Sequence, residues 1–478
     1  MLPELYDPGN WLSRLVFQRA LAAVYLVAFL VAINQFRALL GERGLLPVPR
    51  FVERVPFRAS PSLFHLHCSD RFFTAVALAG VALGAAALGG WTEAGPPWLS
   101  MSSWFLLWAL YLSIVNVGQT FYAFGWESLL CEAGFYAIFL GPSDTPPPLV
   151  VLFALRWLLF RLEFGAGLIK WRGDPCWRRL TCLDYHHETQ PMPNPMSWYF
   201  HHLPRPVHRV EVVGNFVVQL GVPWLLFAPQ PVAGAAAAAI VATQLWLIAS
   251  GNYAWLNWLT IVLALPALGD GILGSLLPVE PPDVALPPVW HTGLMLALGA
   301  VVAVLSYWPA RNMLSRRQLM NYSFNRLHLV NTYGAFGSVT RERYEVIVEG
   351  TTDDDPLTAR WREYAFKGKP GDPRRRPPQV APYHLRLDWL MWFVPFNPRV
   401  YPEWFVALAH KLLEADRRTL RLLHTDPFSG EAPRFVRARF FLYRFTTQRE
   451  RRETGAWWVR TPVADYLPPV SLESAVRR

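Results

Sequence analysis

LVVLFALRWLLFRLEFGAGLIK, residues 149–170, has the length and apolar character of a membrane span, yet it carries Arg156, Arg161, Glu163 and Lys170. A hydrocarbon core about 30 Å thick is crossed by a helix of ~20 mostly apolar residues, so the stretch predicts a transmembrane helix. Charges at that depth cost about 3 kcal/mol each on insertion scales, and by default they mark function or paired structure. Arg156, Glu163 and Lys170 are spaced by seven, which lays them along one helical stripe. Gly165 and Gly167 remove bulk beside it, so another backbone or a substrate has room to approach.

The blocks on either side repeat the pattern. Candidate spans cover residues 17–40, 72–91, 98–117, 122–140, 149–170, 210–227, 232–250, 253–277 and 290–308, about nine in all. Trp91, Trp98, Trp126, Trp290 and Trp308 stand at or near span ends, where an aromatic belt belongs. The span before the charged helix holds Glu127 and Glu132, plausible partners for its basic groups, and GNYAWLNWLT (251–260) adds Asn252 and Asn257. Two readings stay open: a buried ion-pair and hydrogen-bond network that fixes helix registry, or a polar cavity that binds or transforms a substrate.

The fold class is therefore an α-helical polytopic membrane bundle over residues 1–319, interrupted by long loops at 41–71 and 171–209. A soluble domain follows over 320–478. About 29 of the 45 Lys and Arg residues lie beyond Pro309, so most of the net charge of +10 belongs to that part. A basic surface beside a membrane suits anionic headgroups, and no nucleic-acid-binding motif is present. In the soluble part Tyr344, Val346 and Val348 alternate as a half-buried strand. ARWREYAF (359–366), YHLRLDWLMWF (383–393), RFVRARFFLYRF (434–445) and AWWVR (456–460) predict further strands, and 403–423 has helical spacing. The expectation is a mainly antiparallel β domain containing a helix.

With nine spans, both long loops and the soluble domain fall on one side, and the arginines of the two loops put that side in the cytoplasm. The first apolar stretch is too long for a cleavable signal peptide and lacks a small-residue cleavage site. Of four cysteines, Cys131 reads as a small core residue. Cys176 and Cys182 share a loop and would pair in an oxidising compartment. That loop, 171–209, is dense in groups that chemistry uses: Arg172, Asp174, Cys176, Trp177, Cys182, Asp184, His186, His187 and Glu188, with His201 and His202 beyond. Adjacent histidines rarely chelate one ion and no zinc spacing occurs, so no metal is expected. No phosphate-cradling loop, dinucleotide fingerprint or nucleophile elbow appears, and no cofactor is expected.

LRWLLFRLEFGAGLIKWRGDPCWRRLTCLDYHHETQPMPNPMSWYFHHLP (155–204) resembles the signature region of the lipase maturation factor family. FGWESLLCEAGF, GNYAWLNWLTIVLAL, NTYGAFGSVTRERYEVIVEGT and PYHLRLDWLMWF continue the resemblance in order along nearly the whole chain. It implies a polytopic membrane protein that assists folding of secreted lipases or similar exported proteins, without catalysis in the usual sense. Its partners would be membrane lipids and a secreted lipase-like client, met on the lumenal side by the 171–209 loop and the C-terminal domain. Cys176 and Cys182 would then form a disulfide or exchange with client thiols. In eukaryotic members the membrane is that of the endoplasmic reticulum; the Ala-, Arg-, Pro- and Gly-rich composition here points to a bacterial genome and hence a cell membrane. A second resemblance, of FGAGLIKWRGDPCW to the catalytic-lysine segment of vitamin K-dependent gamma-carboxylases, implies an enzyme using Lys170 as an intramembrane base on a lipid or quinol-linked substrate.

Overall fold

The structure, a computed structural model, describes residues 3–475. Helix α1 (Trp11–Leu39) runs through the middle of the bundle, with Phe17, Leu21, Tyr25 and Phe29 fully buried. It packs against α2 (Asp70–Gly89), and its Tyr25 and Phe29 rings meet Tyr111 of α3 (Pro97–Val117) edge-on at 5.7 and 5.3 Å. The short α4 (Gly125–Ala137) and the charged α5 (Leu149–Arg172) follow. The 171–209 loop folds around helix α6 (Leu183–Thr189) and leads into α7 (Arg205–Phe216). Then come α8 (Val232–Ser250), α9 (Leu256–Leu268), α10 (Asp270–Leu276), α11 (Val289–Leu305) and α12 (Tyr307–Leu314).

Among the described residues six helical stretches are long and apolar enough to cross a membrane, or seven when the bent pair α9–α10 counts as one. The expected nine is therefore not confirmed. Two of the expected spans fall outside that count for different reasons: α4 has only 13 residues, and α5 is long enough but crowded with charge. The expected span 253–277 is bent by 112° between α9 and α10, where Gly269 takes φ +75°, a conformation open to glycine and strained for other residues.

The bundle has two distinct ends. At one, the first N–H groups of α1 are capped by a carboxylate: Leu12 and Ser13 donate to Asp270 at 2.9 and 2.8 Å. Arg14 there donates to the carbonyls of Pro142 and Thr145 at 2.6 and 2.5 Å. At the other end of α1, Gln35 donates to the carbonyl of His384 at 2.6 Å, and Asp70 at the start of α2 pairs with Arg418 at 2.6 Å.

The C-terminal part holds an antiparallel sheet in the order β2-β1-β3-β4: β1 (Arg343–Thr351), β2 (Arg362–Glu363), β3 (Phe435–Phe445) and β4 (Trp458–Val470). Helices α13 (Arg386–Phe393) and α14 (Glu403–Leu413) pack beside it. Several expectations need correction. Stretch 383–393 is not a strand: residues 386–393 form α13, whose Asp388 carboxylate accepts N–H bonds from Gly368 at 2.5 Å and Lys369 at 3.3 Å. Stretch 359–366 yields only the two residues of β2. Strand β1 is buried on both faces rather than one, because Ile347 packs with Trp198 and Phe441 on the side away from Val346 and Val348, while Tyr344 is exposed. One hydrophobic core runs unbroken from α1 through Trp126 and Leu390 to Phe405 and Val436.

Candidate functional site

The charges inside the bundle sort into four places. Glu132 of α4 pairs with Arg161 of α5, both fully buried. The same carboxylate accepts from the Asn331 backbone at 3.0 Å, its side chain at 2.9 Å, the Tyr333 hydroxyl at 2.8 Å and the Tyr136 hydroxyl at 2.9 Å. Glu127, one turn and a half earlier on α4, takes Arg386 of α13 at 2.7 Å, together with the Tyr111 hydroxyl. The Arg386 guanidinium lies 3.4 Å from the centre of the Tyr122 ring. This link ties the C-terminal part to the bundle.

Arg156 does neither. It donates to the carbonyls of Leu226 and Pro266, at 3.4 and 3.2 Å, where the helical hydrogen-bond ladders around them break. The heptad stripe is thus divided: Arg156 braces backbone, while Glu163 and Lys170 face one chamber. Gly165 lies beside them, and a Cβ there would stand 2.5 Å from the Tyr333 carbonyl oxygen, so the glycine lets the 331–337 segment approach the helix.

The chamber is small, about 80 Å³. Glu163 accepts from Gln244 of α8 at 2.7 Å, and Gln244 in turn accepts from Asn257 of α9 at 2.9 Å. The other Glu163 oxygen, Oε2, is buried without a partner. The Lys170 ammonium donates to Gln219 at 2.8 Å and Asn215 at 3.4 Å, and stands 5.5 Å from the centre of the Trp177 ring. Gln219 sits in a wide turn with i to i+5 bonding, Val217–Gly221, that continues α7 before Pro223. Such turns re-aim side chains and recur at functional sites.

The 171–209 loop forms one wall. Cys176 and Cys182 are joined in a disulfide and buried. Asp174 caps the turn before them through the Cys176 N–H at 2.9 Å, and Trp177 donates to the Phe336 carbonyl at 2.8 Å. His186 bonds the Tyr253 hydroxyl at 3.1 Å; both nitrogens of His187 are buried without partners. Burial, with the Lys170 charge nearby, pushes His186 down to about 4, and burial holds His187 well below its usual range. Glu188 accepts from the Phe445 N–H of β3 at 2.9 Å and so locks the loop to the sheet. Asp184 lies 3.5 Å from His208, and Arg172 is exposed, bonded to Ser315 and Gln318. Asn252, outside the chamber, receives the N–H groups of Val380 and Ala381. Among the described residues no group of three or more His, Cys, Asp or Glu could hold a metal ion.

A second cavity, about 730 Å³, opens between the bundle and the C-terminal part. Phe124, Trp126, Tyr333, Trp389, Trp392 and Phe396 contribute to its walls, and it shares Leu162, Ala166, His186, Tyr253 and Phe336 with the chamber. Reasoning from sequence missed Gln219, Gln244, Asn215 and Glu211 of the chamber, and Arg386 of the link. Glutamines inside otherwise apolar blocks, VVQLGV and ATQLWL, were the available signal.

Comparison with known proteins covers the chain almost end to end. The family model described as lipase maturation factor transmembrane domain matches residues 12–275, and that described as lipase maturation factor C-terminal domain matches residues 329–468. Lipase maturation factor 1 of Homo sapiens is 43% identical over 98% of this chain and 90% of its own length; that of Mus musculus is 43% identical over 98% and 89%. Lipase maturation factor 2 of Homo sapiens is 29% identical over 97% of this chain and 83% of its own. No solved structure matches. The comparisons lend no support to the carboxylase-like alternative. An integral membrane protein with several apolar helices and a C-terminal antiparallel sheet, matched in both regions, this chain belongs to the lipase maturation factor family.

Proposed function

We propose that this chain is a membrane-embedded maturation factor that helps secreted lipases, or similar exported proteins, reach their active fold. The observation that carries the reading is similarity at 43% identity to lipase maturation factor 1 across 98% of the chain. The bundle also fits nine crossings, with α4 and α5 added to the seven apolar ones. Successive connections alternate between its two ends: 142–145 and Asp270 meet the start of α1, whereas Asp70, Asn252 and the 171–209 loop meet the C-terminal part. Helix α5, at 24 residues, is about 36 Å long, enough to span.

On this topology the loop and the sheet share one side, and the Cys176–Cys182 disulfide favours an oxidising, non-cytoplasmic compartment. On this reading the disulfide outweighs the arginines of the 41–71 and 171–209 loops, which argued for the cytoplasm. Both cysteines are buried, so the disulfide staples the loop rather than exchanging with client thiols, and the client surface is the C-terminal domain over that stapled base. In a bacterium the membrane is the cell membrane; in a eukaryote, that of the endoplasmic reticulum.

The test is secretion of a lipase from cells lacking their own maturation factor, with and without this protein. A rise in activity per mass of secreted lipase is the expected result, and unchanged specific activity at equal expression rejects the reading. An Arg205→Cys chain labelled with an impermeant thiol reagent checks the side, because Arg205 is an exposed position of the loop: reaction in intact cells is expected, whereas reaction only after permeabilisation places the loop in the cytoplasm.

A further inference from the structure

Inside the chamber Glu163 and Lys170 attract each other across the space, yet hydrogen-bonding capacity is left open on both groups. Glu163 is 98% buried, being 2% exposed, and its Oε2 has no partner. Glu211 of α7 donates nothing and accepts only from Trp246 at 2.7 Å, leaving its own Oε2 buried and unpartnered. Lys170 has three N–H donors and uses two, both on neutral amides, with no carboxylate at ion-pairing distance. A buried group in that condition is costly unless something completes it. The wide turn at Val217–Gly221 that carries Gln219 to Lys170 is a second, independent mark of a built site.

What completes it is constrained by the neighbouring cavity. At about 730 Å³ the larger space lies within the ~300–1,000 Å³ of ligand sites and has room for apolar chains. It is walled by aromatic rings and adjoins the chamber, with Leu162, Ala166 and Phe336 lining both. A polar end with an apolar extension fits an amphiphile. The head must offer an anion to Lys170 and N–H donors to the two open carboxylate oxygens. A purely anionic headgroup would face both carboxylates, and a neutral diacylglycerol would leave Lys170 without an anion. A choline headgroup has no N–H to give.

We propose that the Lys170 chamber and the adjoining aromatic cavity form a binding site for an aminophospholipid, phosphate on Lys170, ethanolamine ammonium on Glu163 and Glu211, acyl chains among the Trp and Phe side chains. The site stands apart from the client reading: lipid binding without lipase rescue, or the reverse, separates the two.

The experiment reconstitutes the full chain in nanodiscs with equimolar phosphatidylethanolamine, phosphatidylcholine, phosphatidylglycerol and diacylglycerol, re-extracts it in mild detergent, and measures retained lipid by mass spectrometry. Hydrogen bonds to charged groups support a selectivity of about tenfold for ethanolamine over choline headgroups, close to one lipid per chain. Glu163→Gln with Glu211→Gln should bring the retained mixture near the bulk proportions. Ethanolamine and choline lipids retained equally, or no lipid retained, overturns the proposal. Should the double variant fail to fold, the ethanolamine-to-choline ratio on the unaltered chain decides alone.

Discussion

Helix α5 carries two buried charge sites two residues apart in sequence, and they are built on opposite plans. Arg161 meets a carboxylate whose remaining lone pairs are taken up by Asn331, Tyr333 and Tyr136. Glu163 meets one glutamine and leaves an oxygen open. A closed network of the first kind fixes which helices and which segment of the C-terminal part lie against each other. An open arrangement of the second kind holds nothing as firmly and has capacity for a ligand. Both are buried in the same helix, so burial and charge alone do not distinguish structure from site; the carboxylates do, since both oxygens of Glu132 are partnered and one of Glu163 is open, although Arg161 Nε and Asn331 Oδ1 are also unpartnered.

The largest effect should come from opening the closed network. Glu132→Leu leaves the Arg161 guanidinium buried and unpaired, a loss of about 3–5 kcal/mol that thermal unfolding in detergent should register. Adding Arg161→Met to that variant removes the stranded charge and should recover much of the loss. A double variant no more stable than the single one would show that the pair is not what holds α4, α5 and the 331–333 segment together.

Arg386→Met tests the second buried ion pair, with an expected cost near the low end of that range, about 3 kcal/mol. Arg386 keeps only one terminal nitrogen engaged, on Glu127 and the Phe121 carbonyl, and Glu127 retains the Tyr111 hydroxyl when it is lost. Limited proteolysis should then cleave the connection between α12 and β1 faster than in the unaltered chain. Equal cleavage would mean that apolar packing alone seats the C-terminal part.

The contrast between closed and open sites also explains what sequence could and could not show. The apolar spans follow from length, and Arg156, Arg161, Glu163 and Lys170 announce themselves by being charged at membrane depth. Their sorting does not, because it depends on partners far along the chain: Asn331 for Glu132, Arg386 for Glu127, Gln219 and Gln244 for the chamber. Stretch 383–393 reads as a strand from its aromatic residues, and it is helical where Asp388 finds the N–H groups of Gly368 and Lys369. The break in the 253–277 span was signalled by Pro266 and Gly269, but whether such residues bend a helix or merely weaken it is decided by packing, here by Asp270 capping α1.

Acid should weaken the sealed regions. Burial holds His384, between the Trp126 and Trp389 rings, and His201, beside Glu188, down to about 4 against an ordinary 6.5. A folded value below the unfolded one means that the unfolded chain binds more protons, so the stability is complete above pH 6.5 and is lost as pH falls toward 4. Each histidine should cost about 2 kcal/mol between pH 7 and pH 5. Replacing His384 by Gln should flatten the fall in unfolding temperature over that range; an unchanged slope would assign it to other groups.

The smallest effect should come from the open site. Lys170→Met deletes a buried ammonium that has no carboxylate within 4 Å, removing a desolvated charge along with two hydrogen bonds to neutral amides and a longer-range attraction to Glu163. Loss of the bonds and relief of the burial cost oppose each other, so the net change should stay within about 1 kcal/mol. The Glu132→Leu chain, measured in the same detergent, sets the scale. If Lys170→Met proves as damaging as Glu132→Leu, the chamber is a second registry lock and its open oxygens are filled by water. If it unfolds almost as the unaltered chain does, the charge at Lys170 is retained for something other than holding the helices together, and a carboxylate left open two turns away is where that something binds.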